Sequence, residues 1–199
     1  MRGGERGMSR TNQKPRAYVL GLPFRNPHSE FRISPYTFPV LIGILSDTHD
    51  RIEQARAGMN LLAANGAQFY IHCGDVGGEQ ILDLFAGLPG VLVWGNNDWD
   101  RQGLGRYADS LGVKVQPSLA EVELDARQFA VTHGDDARLV QQLLAQQRHD
   151  YLLVGHSHIR ADRRQGRVRI INPGALHRAA EKSVALLNLA TDELRFLRI

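Results

Sequence analysis

The 199-residue sequence contains a single cysteine, Cys73. One cysteine excludes an internal disulfide framework and fits a reducing compartment, so we expect a cytoplasmic protein. The sequence also lacks any run of about 18 apolar residues, which is the length that a membrane-spanning helix needs. We therefore expect no membrane partner.

The sequence has little net charge once its first 39 residues are set aside. Residues 1–39 carry seven basic and two acidic side chains, a net +5, whereas the other 160 residues carry 17 basic and 19 acidic side chains, a net −2. The sequence pI of 9.3 therefore comes from the first segment. The rest offers no overall basic surface, so we expect no long nucleic acid as a partner.

Residues 1–39 also differ in composition, because five of the eight prolines fall there. Such a segment buries too little apolar surface to offset the entropy of ordering it. We predict a disordered or loosely packed leader over residues 1–39 and a single domain over residues 40–199. Two alternatives stay open: an organelle transit peptide, or a mis-called gene start with the true start at Val40.

From Val40 onward, short apolar runs alternate at first with helix-like stretches. Runs that are apolar on both faces predict buried strands, and their alternation with helices predicts a layered α/β fold. The predicted strands are 40–45, 69–73, 91–94, 129–132 and 151–154, and the predicted helices are 51–65, 78–87 and 135–147. The runs of the later part suggest a second, more antiparallel sheet: 120–124, 127–131 (which overlaps 129–132), 168–171, 184–189 and 194–197.

The first five runs share one informative feature, which is the kind of side chain at their carboxyl ends. Every run ends in side chains that can bind a metal, mostly next to glycine: Ser46-Asp47-Thr48-His49, Gly74-Asp75, Gly95-Asn96-Asn97-Asp98, His133-Gly134-Asp135 and Gly155-His156-Ser157-His158. Ligands of α/β sheets bind beyond the carboxyl ends of the strands, so we expect the five ends to converge on one rim.

The kinds of donor indicate which metals would suit such a rim. They are carboxylate, imidazole and amide oxygen without thiolate, which favours manganese, with nickel, iron, zinc or magnesium as alternatives. Seven donors are too many for one tetrahedral ion, whereas two divalent ions sharing one carboxylate would use them all. The candidate ligands are Asp47, His49, Asp75, Asn96, His133, His156 and His158.

This ordered set of motifs resembles the calcineurin-like metallophosphoesterase superfamily, and in particular its small prokaryotic phosphodiesterase branch, which is similar to the retromer scaffold subunit. The resemblance runs from Val40 to the C-terminus. It implies a two-sheet β-sandwich flanked by helices, with a dinuclear metal site at the carboxyl ends of strands. It also implies one metal on Asp47, His49, Asp75 and His158, and a second on Asp75, Asn96, His133 and His156, with Asp75 bridging.

The function implied is hydrolysis of small or nucleotide-like phosphodiesters by attack of a hydroxide that bridges the two metals. The expected partner is a small-molecule phosphoester, and the oligomeric state stays open. The alternative is a catalytically weak scaffold of the same fold that binds other proteins.

The third motif departs from the superfamily pattern, which usually has a histidine after its asparagine. Here that position is Asn97, which can donate a hydrogen bond but cannot donate a proton at neutral pH. We take Asn97 and Asp98 as the catalytic candidates, with Asp98 and Asp135 able to orient ligand imidazoles. The acid that would protonate a leaving group is not evident.

Several other residues near the motifs have plainer explanations. A single Gly-Asp is usually a turn, and Asp47-Thr48 alone could cap a helix. His72 fits a buried partner of the ligands better than a ligand. Trp99 suits the pocket and the surface equally, and His177 fits a solvated loop better than a substrate contact.

Overall fold

A computed structural model describes residues 31–33 and 40–199 of the chain. In chain order its elements are β1 (Phe31–Ile33), β2 (Leu41–Leu45), α1 (Ile52–Ala64), β3 (Phe69–His72), α2 (Glu79–Asp83), β4 (Gly90–Val93), α3 (Arg101–Ser110), β5 (Val115–Gln116), β6 (Leu119–Leu124), β7 (Arg127–Thr132), α4 (Ala137–Gln146), β8 (Tyr151–Leu153), β9 (Ala161–Gln165), β10 (Val168–Asn172), β11 (Ser183–Asn188) and β12 (Glu193–Arg198).

The strands form two six-stranded sheets. One has the order β12-β11-β2-β3-β4-β5 and the other the order β1-β6-β7-β8-β10-β9. Strands β2, β3 and β4 are mutually parallel, and β7 runs parallel to β8. The carboxyl ends of these five strands therefore emerge together within each sheet. The predicted two-sheet architecture flanked by helices is confirmed.

Both faces of the first sheet are covered, which explains why its strands are apolar throughout. Successive strand residues point to opposite faces, so Ile42 and Ile44 pack between the sheets with Phe129 and Val131. Leu45, on the other face, packs with α1, α2 and α3. Helix α4 covers the outer face of the second sheet through Leu143 and Leu144. The layers are helices, sheet, sheet and helix.

Helix α1 has the spacing of a helix with one buried face. Its buried residues are Ala55, Gly58, Met59 and Leu62, which follow the i, i+3, i+4, i+7 pattern. The helix begins immediately after the loop that carries Asp47 and His49. Packing of this face on the sheet therefore also fixes where that loop ends.

Two details of the secondary-structure prediction were wrong. Strands β11 and β12 do not belong to the second sheet, because β11 pairs antiparallel with β2, Ala185 opposite Ile44. Helix α3 and strands β5 and β9 were not predicted. Gly103 and Gly105 weaken the helical signal of α3, although Asp100 caps the helix by accepting from the Gly103 amide.

Most of the predicted leader lies outside the described residues. Within it, Phe31–Ile33 form β1, which pairs parallel with β6. The boundary at residue 40 stays a prediction. None of the helices in residues 40–199 is both long and apolar enough to cross a membrane.

Candidate metal centre

The carboxyl ends of β2, β3, β4, β7 and β8 meet at one place, where backbone hydrogen bonds tie their loops together. The Asp47 amide donates to the Gly74 carbonyl at 3.0 Å, and the Gly155 amide donates to the His133 carbonyl at 2.8 Å. The two sheets are joined by His133, whose Nδ1 lies 2.8 Å from the Cys73 carbonyl oxygen. The loops that carry the predicted ligands therefore form one connected unit.

Asp47, His49 and His158 form the first group of potential ligands. One ligand atom from each lies within 4.8 Å of the others. His158 Nε2 is 3.2 Å from Asp47 Oδ1, and His49 Nε2 is 3.9 Å from the same oxygen. Asp47 is fully buried, whereas the two histidines are partly exposed. The group therefore has its carboxylate in the protein interior and its two imidazoles at the solvent-accessible side.

His133 lies at the centre of a second group. Its Nε2 is 3.2 Å from Asp75 Oδ2 and 3.1 Å from Asn96 Oδ1. Since a carbonyl only accepts, Nδ1 donates to Cys73, and a neutral ring then directs the Nε2 lone pair at two oxygen acceptors. A cation between these three atoms would stabilise the arrangement. Metal-bound imidazoles commonly donate their other N–H to a backbone carbonyl in this way.

Contacts of Asp75 and His156 connect the Asp47 group with the His133 group. Asp75 Oδ2 also lies 3.4 Å from His49 Nε2, so one oxygen of Asp75 faces both groups. The His156 ring packs edge-on against His133 with ring centroids 5.1 Å apart, and its amide donates to Asp47 Oδ2 at 3.1 Å. All seven predicted ligands therefore lie around one centre.

Unpaired buried atoms show that a cation suits this centre. Asp47 Oδ1 and His49 Nε2 are buried and have no hydrogen-bond partner among the described residues. A buried polar atom without a partner is costly, and a buried ionised carboxylate is more so. Burial accordingly raises the pKa of Asp47. A divalent ion beside Oδ1 would compensate for this cost.

The backbone at the ligands is also unusual. Asp47, His49, Asp75, His156 and His158 all have positive φ, between 43° and 64°. Residues other than glycine seldom adopt this conformation, although Asp and His do so more readily than most. Strained backbone persists where surrounding contacts enforce it, and it clusters at functional sites. Five such residues in three loops support a ligand-binding role for this rim.

Glycines allow the strand ends to approach each other closely. A Cβ on Gly74 would lie 2.7 Å from His133 Nδ1, and a Cβ on Gly95 would clash with the Asp75 carboxylate. Gly74 also has a φ of 93°, which disfavours any side chain there. The glycines beside the motifs are therefore required by close packing of the loops.

Asn97 and Asp98 hold the loop after β4, which carries the third motif, in different ways. The Asn97 backbone amide donates to Asp75 Oδ1, and its side-chain amide donates to Asp75 Oδ2, both at 2.8 Å. Asp98 accepts hydrogen bonds from the Gly77 and Gly95 backbone amides at 2.9 and 2.7 Å. The donors to its carboxylate are thus backbone amides rather than an imidazole. Asp135 is exposed. The roles predicted for these residues remain predictions.

The hydrogen bonds of Asn97 also affect the charge of Asp75. Burial by itself would raise the pKa of Asp75, but the hydrogen bonds from Asn97, and one from His133 when its ring is protonated, outweigh burial and bring the pKa well below its usual range. Asp75 is thus held as a carboxylate, which is the form that binds a metal.

His72 and Thr48 are buried next to the ligands and hold the loop that carries Asp75 by hydrogen bonds. His72 Nδ1 accepts from the Gly74 amide at 3.1 Å, so its Nε2 donates to Thr48 Oγ1 at 3.0 Å. The Thr48 hydroxyl donates to the Val76 carbonyl at 2.7 Å. Burial lowers the pKa of His72 to about 3, which keeps the ring neutral. The sequence indicated His72 as a buried partner but contained no sign of Thr48, since their contact joins residues 24 positions apart.

Two exposed residues flank the centre. Trp99 follows the third motif and is 87% exposed, and Ile159 follows His158 and is 70% exposed. His177, which the sequence placed in a solvated loop, has its ring centroid 5.0 Å from that of His49. No local pattern could reveal this contact, because it depends on the packing of distant loops.

Comparisons with known proteins agree with this geometry. Residues 40–192 match the family described as the calcineurin-like phosphoesterase superfamily domain. A phosphodiesterase of Methanocaldococcus jannaschii is 29% identical over 136 residues, which cover 67% of this chain and 82% of the relative.

Solved structures show the same fold. A novel archaeal phosphodiesterase is similar with a TM-score of 0.74 and 25% identity, covering 80% of this chain and 100% of the other. Vps29 of Entamoeba histolytica, solved with zinc, has a TM-score of 0.55 and 16% identity, covering 80% of this chain and 98% of the other. At that identity, Vps29 shows a shared fold alone.

Proposed function

Because the chain belongs to the calcineurin-like phosphoesterase superfamily, we propose that it is a metal-dependent phosphodiesterase, a phosphoric ester hydrolase that acts on small or nucleotide-like phosphodiesters. One observation carries the proposal: Asp75 Oδ2 lies within 3.4 Å of His49 and His133, which belong to separate ligand groups. Two sets of donors that share a carboxylate suit a pair of ions. The similarity to archaeal phosphodiesterases supports the choice of diesters.

We further propose that two divalent ions are held by the seven candidate ligand residues, with Asp75 shared between them. When bound, the ions would lower the pKa of water and stabilise charge on the phosphoryl oxygens. Manganese is the first candidate, and nickel, iron, zinc or magnesium would also suit the oxygen and nitrogen donors. His133 supports this proposal because its Nδ1–H is already engaged with the Cys73 carbonyl, which leaves Nε2 for the metal.

In this proposal, residues of the loop after β4 orient the substrate. Asn97 lies beside the shared carboxylate, where its amide can donate a hydrogen bond to a phosphoryl oxygen. It cannot supply a proton to the leaving group. Asp98 fixes the loop through the Gly77 and Gly95 amides, and so places Asn97. The proposed enzyme should therefore prefer leaving groups that depart without protonation.

The alternative is a scaffold of the same fold, which similarity to Vps29 suggests only weakly. A scaffold has no need of a complete ligand set. Here the candidate metal ligands converge on one centre. Two buried ligand atoms, Asp47 Oδ1 and His49 Nε2, lack hydrogen-bond partners among the described residues. These observations favour the enzyme.

The surroundings of the proposed reaction are indicated by composition. Residues 40–199 carry a net charge of −2, which supports a small substrate rather than long nucleic acid. Cys73 is a free, buried thiol, and burial raises its pKa well above the usual value. A free thiol is consistent with a reducing compartment, and we propose the cytoplasm.

The test uses the full chain stripped with a chelator and reloaded with manganese. Its activity should be measured on bis(p-nitrophenyl) phosphate, p-nitrophenyl phosphate and cyclic nucleotides, with Asp75→Asn as the inactive control. We expect manganese to restore activity, with the aryl diester cleaved faster than the monoester. A reloaded protein that is as inert as Asp75→Asn on every substrate would favour the scaffold.

A further inference from the structure

A pair of side chains outside the ligand set lies at the edge of the centre. Arg51 immediately precedes α1, and His177 follows the Asn172-Pro173-Gly174 loop. Arg51 Nε donates a hydrogen bond to His177 Nδ1 at 3.2 Å. This contact joins residues 126 positions apart, and neither residue belongs to the five sequence motifs described above.

The direction of this hydrogen bond determines what the imidazole can offer. A guanidinium only donates, so His177 Nδ1 accepts and the ring carries its proton on Nε2. Among the described residues, His177 Nε2 has no hydrogen-bond partner, and its side chain is partly exposed. Arg51 is exposed, and its other side-chain N–H groups have no hydrogen-bond partner in the part of the chain that the structure describes. The pair thus presents a positive charge and a free N–H donor.

The pair lies next to the first ligand group without belonging to it. The His177 ring centroid is 5.0 Å from that of His49, which is 5.6 Å from that of His158. Arg51 occupies the lone pair of His177 Nδ1 and the ring proton is on Nε2, so neither ring nitrogen offers a lone pair to a metal. His177 is therefore placed to contact something bound at the metals rather than the metals themselves.

The loop that carries His177 is firmly held. Asn172 Nδ2 donates to the Gly155 carbonyl at 2.7 Å, beside His156, and Ser183 Oγ donates to the Pro173 carbonyl at 2.8 Å. Leu176, directly before His177, is fully buried. On the other side, the Arg51 amide donates to the Thr48 carbonyl at 2.9 Å. Both members of the pair thus start from backbone anchored to ligand loops.

We propose that Arg51 and His177 form a subsite for an anionic phosphoryl oxygen, with the Arg51 guanidinium and His177 Nε2–H donating to the oxygen. The proposal rests on the proposed phosphodiesterase function and adds a recognition element to it. Charge-assisted hydrogen bonds from arginine suit phosphate oxygens. The pair would also supply an imidazole N–H to a site whose third motif has Asn97 in place of histidine.

The direct test measures binding of inorganic phosphate to the manganese-loaded protein by calorimetry. Loss of a hydrogen bond to a charged group should weaken phosphate binding roughly 10- to 100-fold in His177→Ala and in Arg51→Ala. His177→Gln keeps an N–H near the position of Nε2 and should recover part of the affinity. Arg56→Ala removes an exposed arginine from α1, the helix that follows Arg51, and should bind phosphate as the natural protein does.

Kinetics with an aryl diester provide a second measurement. His177→Ala should raise KM more than it lowers kcat, because the subsite binds the substrate as well as the transition state. Metal analysis of each variant is needed beside it. If His177→Ala holds fewer ions than the natural protein, then His177 is a ligand and the subsite proposal is overturned.

The results separate this proposal from the proposed function. Natural protein that binds phosphate in a His177-dependent way but hydrolyses no ester would retain the subsite and refute the enzyme. Natural protein that hydrolyses diesters, with His177→Ala and Arg56→Ala equal in phosphate affinity, would refute the subsite. Natural protein that binds no phosphate would also refute it.

Discussion

At the scale of single residues, Asp75 has the most central position of the ligands. Its Oδ2 faces His49 at 3.4 Å and His133 at 3.2 Å. We expect Asp75→Asn to lower metal occupancy at both positions, whereas His158→Ala should empty mainly one. Inductively coupled plasma mass spectrometry of the purified, reloaded proteins would count the ions. A full complement of two ions in Asp75→Asn would contradict the shared role.

Asn97 allows a second prediction. General acid catalysis typically contributes ~10²–10⁴-fold, and it matters most for poor leaving groups. Replacing Asn97 with His should therefore accelerate alkyl esters more than aryl esters. The measurement is the slope of log kcat/KM against leaving-group pKa for both proteins. Equal, shallow slopes would mean that another group or water already donates the proton.

The sequence identified the ligands because their chemistry is local. Each ligand follows an apolar run, and the parallel arrangement of such runs brings their ends together. The positive φ at Asp47 and His158, the Thr48–His72 contact and the approach of His177 to His49 were not predictable. These features depend on how loops from distant parts of the chain pack against each other.

At the scale of elements, the predicted helices and strands were recovered where packing and propensity agree. Helix α4 was predicted because its apolar spacing is regular, and α3 was missed because its glycines weaken the signal. Yet α3 has Asp100 as a cap, with Leu104 and Ala108 buried at i and i+4. The assignment of β11 to the first sheet was missed because pairing with β2 is a long-range choice. Spacing within a strand does not encode its neighbour.

Capping of α4 gives a prediction at this scale. Asp136 accepts hydrogen bonds from the Arg138 and Leu139 amides at 2.9 and 3.1 Å. Asp136→Ala leaves these amides without that partner and should lower the free energy of unfolding by about 0.5–2 kcal/mol. Urea denaturation would measure the change. Asp135→Ala, at the exposed neighbouring position, should change the free energy of unfolding by less than about 0.5 kcal/mol. An effect of Asp136→Ala as small as that would mean that the cap does not stabilise the helix.

At the scale of the whole molecule, the predicted domain boundary can be tested by truncation. Every proposed ligand lies beyond residue 40, so a chain of residues 40–199 should bind metal and hydrolyse substrate as the full chain does. It lacks β1, whose three residues pair with β6, so a second chain of residues 30–199 is the matched control. Thermal unfolding and kcat/KM should be compared for all three. A large loss in residues 40–199 alone would place the boundary before β1.

Metal binding should stabilise the whole fold, because the ligands come from five loops that are assembled only in the native state. At a free ion concentration of 100 Kd, each site would add about 2.7 kcal/mol, and two sites should raise the Tm by roughly 10–20 °C. Differential scanning calorimetry of the stripped protein with added manganese would measure the shift. Asp75→Asn should lose most of it.

This stabilisation should also depend on pH, because protons compete with metal for the imidazoles. Burial alone would lower the pKa of His133, but its hydrogen bond with the Asp75 carboxylate outweighs burial and raises that pKa. Without metal, the proton on His133 is therefore retained to a higher pH than in an ordinary histidine. The metal-dependent increase in Tm should consequently begin to shrink at a pH above 6.5, the ordinary histidine pKa, and should shrink further as the pH falls. An increase that stays constant from neutral to acidic pH would mean that His133 does not bind the metal.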